Sequence, residues 1–264
     1  MDINKFYGNP DENPLDNLVS DGGFCGIFRT IGCIGDSLSS GEFETRDEDG
    51  ILGYHDFYEY SWGQYMARAC GNKVYNFSRG GMTAKEFCNK FADECGVYKY
   101  ENLCQAYIIA LGVNDITQSF PAGDPEKISV SKNREPDDES ILAYICQIVR
   151  TLKSKQPDAK IFIMTIPDSD LRNDGRRAKE EALAEAIRAF CAKTKNTYVL
   201  DLRKYGPLHD QKFNDNFRLG HMTPTGYMIM SKMIMSYIDY IIRNNHEDFA
   251  QVGFIGTPYK YRKE

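Results

Sequence analysis

Short apolar runs alternate along this chain with longer stretches whose apolar residues recur every three or four positions. The runs at 30–34, 73–77, 106–111, 160–166 and 197–202 read as strands, and the stretches near 56–70, 83–95, 138–155, 174–194 and 225–243 read as helices. Brief apolar strands separated by helices predict a parallel sheet buried on both faces. The last helix is the clearest element. Tyr227, Met230, Ile234, Ile238 and Ile241 fall on one stripe, and Lys232, Ser236, Asp239 and Arg243 fall on the other. Thr223 is placed to cap it, with Pro224 in its first turn. The Met-rich run 228–235 reads as core filling.

Residues 1–27 are rich in Asn, Asp and Gly and read as an extended surface arm. Two connections are long, 39–53 and 117–138. Each follows the C-terminal end of an expected strand, the edge that carries ligands in open α/β sheets. The acidic cluster Glu42, Glu44, Asp47, Glu48 and Asp49 in the first of them reads as solvated surface.

Composition narrows the function classes. Of 264 residues, 42% are hydrophobic and 27% charged, which suits a globular chain with a substantial core and excludes disordered and fibrous classes. The formal net charge of −6 argues against a nucleic-acid-binding face, because phosphate affinity rests on clustered Lys and Arg. The most apolar stretch, 227–242, contains Lys232 and Asp239 and is too short and too polar to span a bilayer. Residues 1–17 carry no apolar run of the secretory kind, so the expected location is cytoplasmic. The eight cysteines form no CxxC pair and read as buried reduced thiols, so neither a disulfide framework nor a metal site is expected.

Four stretches carry candidate chemistry. Gly35-Asp36-Ser37-Leu38 follows the first strand, and Asn76-Phe77-Ser78-Arg79-Gly80-Gly81-Met82-Thr83 the second. Gly112-Val113-Asn114-Asp115 follows the third, and Gly220-His221-Met222-Thr223-Pro224 precedes the last helix. In a doubly wound fold all four reach one sheet edge. Ser37 at a strand-to-helix turn, His221 beside a helix cap, Gly81 with a close-approaching backbone N–H and Asn114 with a side-chain amide would bring a hydroxyl, a base and hydrogen-bond donors together there. The other histidines, 55, 209 and 246, lie in loops or the tail.

In this order the four stretches resemble the SGNH (GDSL-type) hydrolase family over residues 30–242. The resemblance implies a three-layer flavodoxin-like α/β sandwich with a five-stranded parallel sheet and helices on both faces. The hydrolase-like domain then covers 28–244, after the arm, with a C-terminal tail at 245–264 packed on it. It further implies that Ser37 is the nucleophile, that His221 is the general base, and that Gly81, Asn114 and the Ser37 N–H form an oxyanion hole. No cofactor is implied.

One position departs from the family. The Asp usually three residues before the His is Arg218 here. Three groups remain as the orienter of His221: a main-chain carbonyl near 216–219, giving a Ser–His dyad; Asp215; or a carboxylate from a distant loop. The carbonyl is the favoured expectation, since some carbohydrate esterases of the superfamily are understood to work as dyads. Arg218 itself is either a solvated ion-pair partner or a rim residue for an anionic substrate group.

The expected activity is hydrolysis of a small ester, with a short acetyl-like acyl group on a carbohydrate or other polar carrier. Tyr54, Phe57, Tyr58, Trp62 and Phe120 are candidate stacking residues, although 57–62 also fits the buried face of a helix. A thioesterase or lysophospholipase of the same fold, a flavodoxin-like binding protein using the Gly80-Gly81 turn, and an inactive scaffold are the alternatives.

Overall fold

The computed structural model describes residues 3–261, and strand and helix alternate through most of them. β1 (Thr30–Gly35) leads into the single turn α1 (Ser37–Ser40), then the short strands β2 (Glu42–Arg46) and β3 (Leu52–Asp56), α2 (Trp62–Cys70) and β4 (Lys73–Ser78). Next come α3 (Ala84–Glu86), a π-helical turn over Phe87–Phe91, α4 (Ala92–Cys95), β5 (Ala106–Ala110) and α5 (Val113–Thr117). The chain continues through α6 (Ile141–Lys155), β6 (Lys160–Met164), α7 (Asp174–Ala192), β7 (Thr197–Leu200), α8 (Leu202–Tyr205) and α9 (Gln211–Phe217). The two-residue strands β8 (Arg218–Leu219) and β9 (His221–Met222), α10 (Pro224–Asn244) and α11 (His246–Phe249) complete it.

Five strands pair in the order β4–β1–β5–β6–β7, all parallel. This is the flavodoxin-like order, with its reversal between β1 and β5. The period of two along each strand sends alternate residues to opposite layers. Tyr107, Ile109, Ile161 and Ile163 pack with α6 and α7, while Ala106, Ile108 and Phe162 pack with α2 and α10. The expected strands at 106–111, 160–166 and 197–202 overrun the sheet. Leu111 and Leu202 are buried just beyond its edge, so their apolarity extends the pattern past the hydrogen-bonded ladder.

The helices start where side-chain caps allow. Ser61, Thr83, Ser140, Asn173 and Thr223 each accept a backbone N–H from the first turn that follows. The stretch near 56–70 therefore begins its helix only at Trp62, after a 3-10 turn. Most of the polar stripe of α10 is covered, with Lys232 alone of its four residues exposed. Ser236, Asp239 and Arg243 are all buried, because the N-terminal arm lies along them. Val19 N–H donates to Ser236 Oγ, Phe24 N–H donates to Asp239, and Arg243 bonds both Glu12 oxygens at 2.7 Å.

All eight cysteines are free thiols, five of them buried. No helix among the described residues is long and apolar enough to cross a membrane.

Candidate active site

Ser37 owes its position to its neighbours in the chain. A Cβ at Gly35 would stand 2.1 Å from Ser39 Oγ, so glycine lets α1 turn back tightly against β1. Asp36, 3% exposed, caps the turn by accepting the Leu38 N–H at 3.0 Å. Ser37 stands first in α1, where its N–H has no intrahelical partner.

The segment after α1 is not a plain solvated loop. β2 and β3 form an antiparallel hairpin in which Glu42 faces Asp56 and Glu44 faces Tyr54. Asp47 accepts the Asp49 and Ile51 N–H groups and so closes the turn. The strand period puts Glu42 and Glu44 on one face and Phe43 on the other. Phe43 packs edge-on against Phe57, Tyr60 and Tyr227. The Tyr227 hydroxyl donates to the Glu42 carbonyl, and Ser40 Oγ donates to Asp56 at 2.6 Å. The hairpin is thereby anchored with its two carboxylates over the sheet edge.

His221 meets those carboxylates. Its Nε2 lies 2.8 Å from Ser37 Oγ, and its Nδ1 lies 2.6 Å from Glu44 Oε1. Glu42 Oε1 is 3.1 Å from Nε2. A carboxylate at Nδ1 holds that nitrogen as an N–H donor and leaves Nε2 to accept the serine proton. Burial pushes the Glu42 carboxyl above the usual carboxylate range; His221 works against this, and Asp56 and Glu44 add to it. Two glycines make room. A Cβ at Gly220 would come within 1.8 Å of Glu44 Oε2, and one at Gly80 within 2.2 Å of Glu42 Oε2. Gly220 also has φ +73°, a backbone conformation that favours glycine.

The loops after β4 and β5 support each other. Gly81 has φ +72° and open space where a Cβ would stand. Asn114 Nδ2 donates to the Met82 carbonyl at 3.1 Å, which uses one of its two amide hydrogens. The buried Asp115 carboxylate accepts the Ala84 N–H at 2.9 and 3.1 Å. Burial pushes the Asp36 carboxyl up to about 7 and the Asp115 carboxyl up to about 6.

The structure brings Ser37 and His221 into contact and corrects the expected orienter. Nδ1 faces neither a main-chain carbonyl nor Asp215. Asp215 is exposed on α9 and accepts from Gln211 Nε2 at 2.6 Å. The third of the three options, a carboxylate from a distant loop, is what occupies the position. Arg218 bonds the Gly220 carbonyl and has no carboxylate within 4 Å among the described residues. Glu42 and Glu44 were readable only as acidic surface. The signal for them was the alternation Glu42-Phe43-Glu44 before an Asp–Gly turn and a second alternating run. Of the candidate aromatics, Trp62 is core at 1% exposure, whereas Tyr54 is exposed with its ring 6.0 Å from that of His221. His209 is buried and stacked on Phe213 at 3.8 Å.

Comparison with known proteins bears on the family and the fold. The profile of a GDSL-like lipase/acylhydrolase family matches residues 33–229. No match was found among curated proteins. Among solved structures, a family two carbohydrate esterase from Clostridium thermocellum aligns at TM-score 0.56 and 15% identity, over 81% of this chain and 64% of that one. A carbohydrate esterase family 2 enzyme from Corynascus thermopiles aligns at 0.54 and 16%, over 80% and 65%. A catalytic mutant of an acetylxylan esterase from Geobacillus stearothermophilus aligns at 0.51 and 16%, over 88% and 97%. At these identities the likeness is one of fold.

Proposed function

The chain belongs to the GDSL-like lipase/acylhydrolase family, and from that premise we propose that it hydrolyses a short acyl ester of a carbohydrate or similar polar alcohol, with Ser37, His221 and Glu44 as its catalytic triad. The observation that carries this reading is the unbroken chain Ser37 Oγ–His221 Nε2, 2.8 Å, and His221 Nδ1–Glu44 Oε1, 2.6 Å, at the C-terminal edge of the sheet.

In this mechanism Ser37 Oγ attacks the ester carbonyl and gives its proton to His221 Nε2. The carbonyl π electrons move to oxygen, and the oxyanion is met by the Ser37 and Gly81 N–H groups and the remaining Asn114 amide hydrogen. Collapse breaks the bond to the alcohol, which leaves with the proton from Nε2. Water then attacks the acyl-serine with His221 as base again, releasing the acid and restoring Ser37. Glu44 keeps Nδ1 as the donor and stabilises the imidazolium that forms in each half. The support for a polar alcohol is the rim: Tyr54 offers an exposed aromatic ring beside His221, and Glu42 offers a carboxylate to a neighbouring hydroxyl. The carbohydrate esterases that share the fold are consistent with it.

A panel of 4-nitrophenyl acetate, an O-acetylated sugar and a long-chain 4-nitrophenyl ester tests this. Turnover of the two acetates with little on the long chain, all lost in Ser37→Ala, is the expected result. Preference for the long chain would contradict the acyl and carrier assignment.

A further inference from the structure

A second feature adjoins the segments that carry the reacting groups. A cavity of about 60 Å³ is bordered by Asp36 and Leu38, which flank Ser37, by Val113, which precedes Asn114, and by Met222, which follows His221. That volume holds roughly four or five water-sized groups, enough for a short acyl tail and too little for a sugar ring. Its wall is largely apolar, with Leu38, Met164 and Ile166 in the lining, but three basic side chains interrupt it: Arg172, His209 and Arg218.

These three do not share the same state. Arg172 is neutralised by Glu180, a carboxylate without exposed surface, at 2.7 Å. Arg218 donates from Nε and Nη2 to the Gly220 carbonyl and has no acidic partner within 4 Å among the described residues. His209 is 3% exposed, and its Nε2 is buried without a hydrogen-bond partner. A buried polar nitrogen left unmet in a folded protein is uncommon, and Trp62 Nε1 is a second one in the same wall. Burial and the positive charges of Arg218 and Arg172 push the His209 imidazole down to about 4, so it is neutral and free to present Nε2–H as a donor. Asp168 and Asp210 act on it in the opposite sense. The remaining acid in the wall is Asp36, whose carboxyl burial pushes up to about 7, so repulsion from it is weakened near neutrality.

We propose that this cavity is the acyl subsite and that it takes a short acyl group ending in a carboxylate, of the succinyl type, held by Arg218 and His209 Nε2. The inference rests on the ester-hydrolase reading above and narrows its acyl class. The apolar wall covers the methylenes, the charged end meets a guanidinium that has no carboxylate within 4 Å among the described residues and feels Glu44 only at longer range, and the alcohol stays on the open side with Tyr54.

The test compares 4-nitrophenyl monosuccinate with 4-nitrophenyl butyrate, a chain of similar length without the charge. Ser37→Ala protein serves as the blank, since a neighbouring carboxylate speeds the spontaneous reaction. The wild-type kcat/KM should favour the succinyl ester by about ten- to a hundredfold, the size of a charge-assisted hydrogen bond to a buried donor. In Arg218→Gln the ratio of the two esters should fall close to one, and Arg218→Lys, which keeps the charge, should restore part of it. The ratio within one variant is insensitive to how much of that variant is folded. Free succinate should also inhibit acetate-ester hydrolysis competitively, and butyrate should not. Equal or better turnover of the butyrate, or a succinyl preference unmoved by Arg218→Gln, would overturn the subsite and leave the hydrolase reading standing. Absence of turnover on every ester, with Ser37 unlabelled by a fluorophosphonate, would overturn both.

Discussion

The orienting group of His221 decides how the site is built at the scale of single residues. Glu44 Oε1 stands 2.6 Å from Nδ1, while Asp215 is turned to Gln211 on the surface. Glu44→Gln replaces an anionic acceptor with an amide that can present its NH₂ to Nδ1 and favour the wrong tautomer. Its kcat should fall by about 10²-fold or more, toward the ~10⁴ of a triad Asp→Asn change, with KM little altered. Asp215→Asn should cost less than about tenfold. Steady-state kinetics of the two variants on one acetate ester check both. The placement of Ser37 and His221 at one sheet edge was legible because both stand at strand and helix ends that the sequence marks locally. Glu44 was not, because its partner is 177 positions away, and no local pattern reports a contact of that range.

The β2–β3 hairpin is the element that converts an acidic stretch into part of the site. Its alternation is regular: Phe43 inward, Glu42 and Glu44 toward His221, Tyr54 opposite Glu44. Read only for charge, the same residues look like solvated surface; read for period, they look like a strand with one functional face. Gly220, in the turn between β8 and β9, is the matching recess. Gly220→Ala puts a methyl where Glu44 stands and forces a non-glycine residue to positive φ. The variant should lose about as much kcat as Glu44→Gln. The double variant should be little worse than either alone, because both changes break one contact. Additive losses in that cycle would show that Gly220 acts through something other than Glu44.

At the scale of the whole molecule the layered sheet was readable from the runs and their spacing, and it places every motif at one edge. What pattern alone did not report was how the layers are closed, as with the arm that covers the polar stripe of α10 through Glu12 and Arg243. The sheet edge also fixes how stability depends on pH. Asp36 is buried beneath the site, with its carboxyl raised to about 7 from the ~3.9 of an unfolded chain. Between those values the folded protein keeps a proton that the unfolded chain releases, so stability falls as pH rises from about 4 to about 7. The loss from Asp36 is at most about 4 kcal/mol. Asp36→Asn keeps the helix-capping oxygen and removes the titration. Chemical denaturation across this range should show a shallower decline for the variant, with a residue left by Asp115. An unchanged slope would place the titration elsewhere. The most direct measurement of the central claim is covalent: react the folded protein with a fluorophosphonate and locate the adduct by peptide mass spectrometry. The account predicts a single adduct on Ser37, formed much more slowly in His221→Ala and in Glu44→Gln. A folded protein that takes no label, or takes it on another residue, would contradict it.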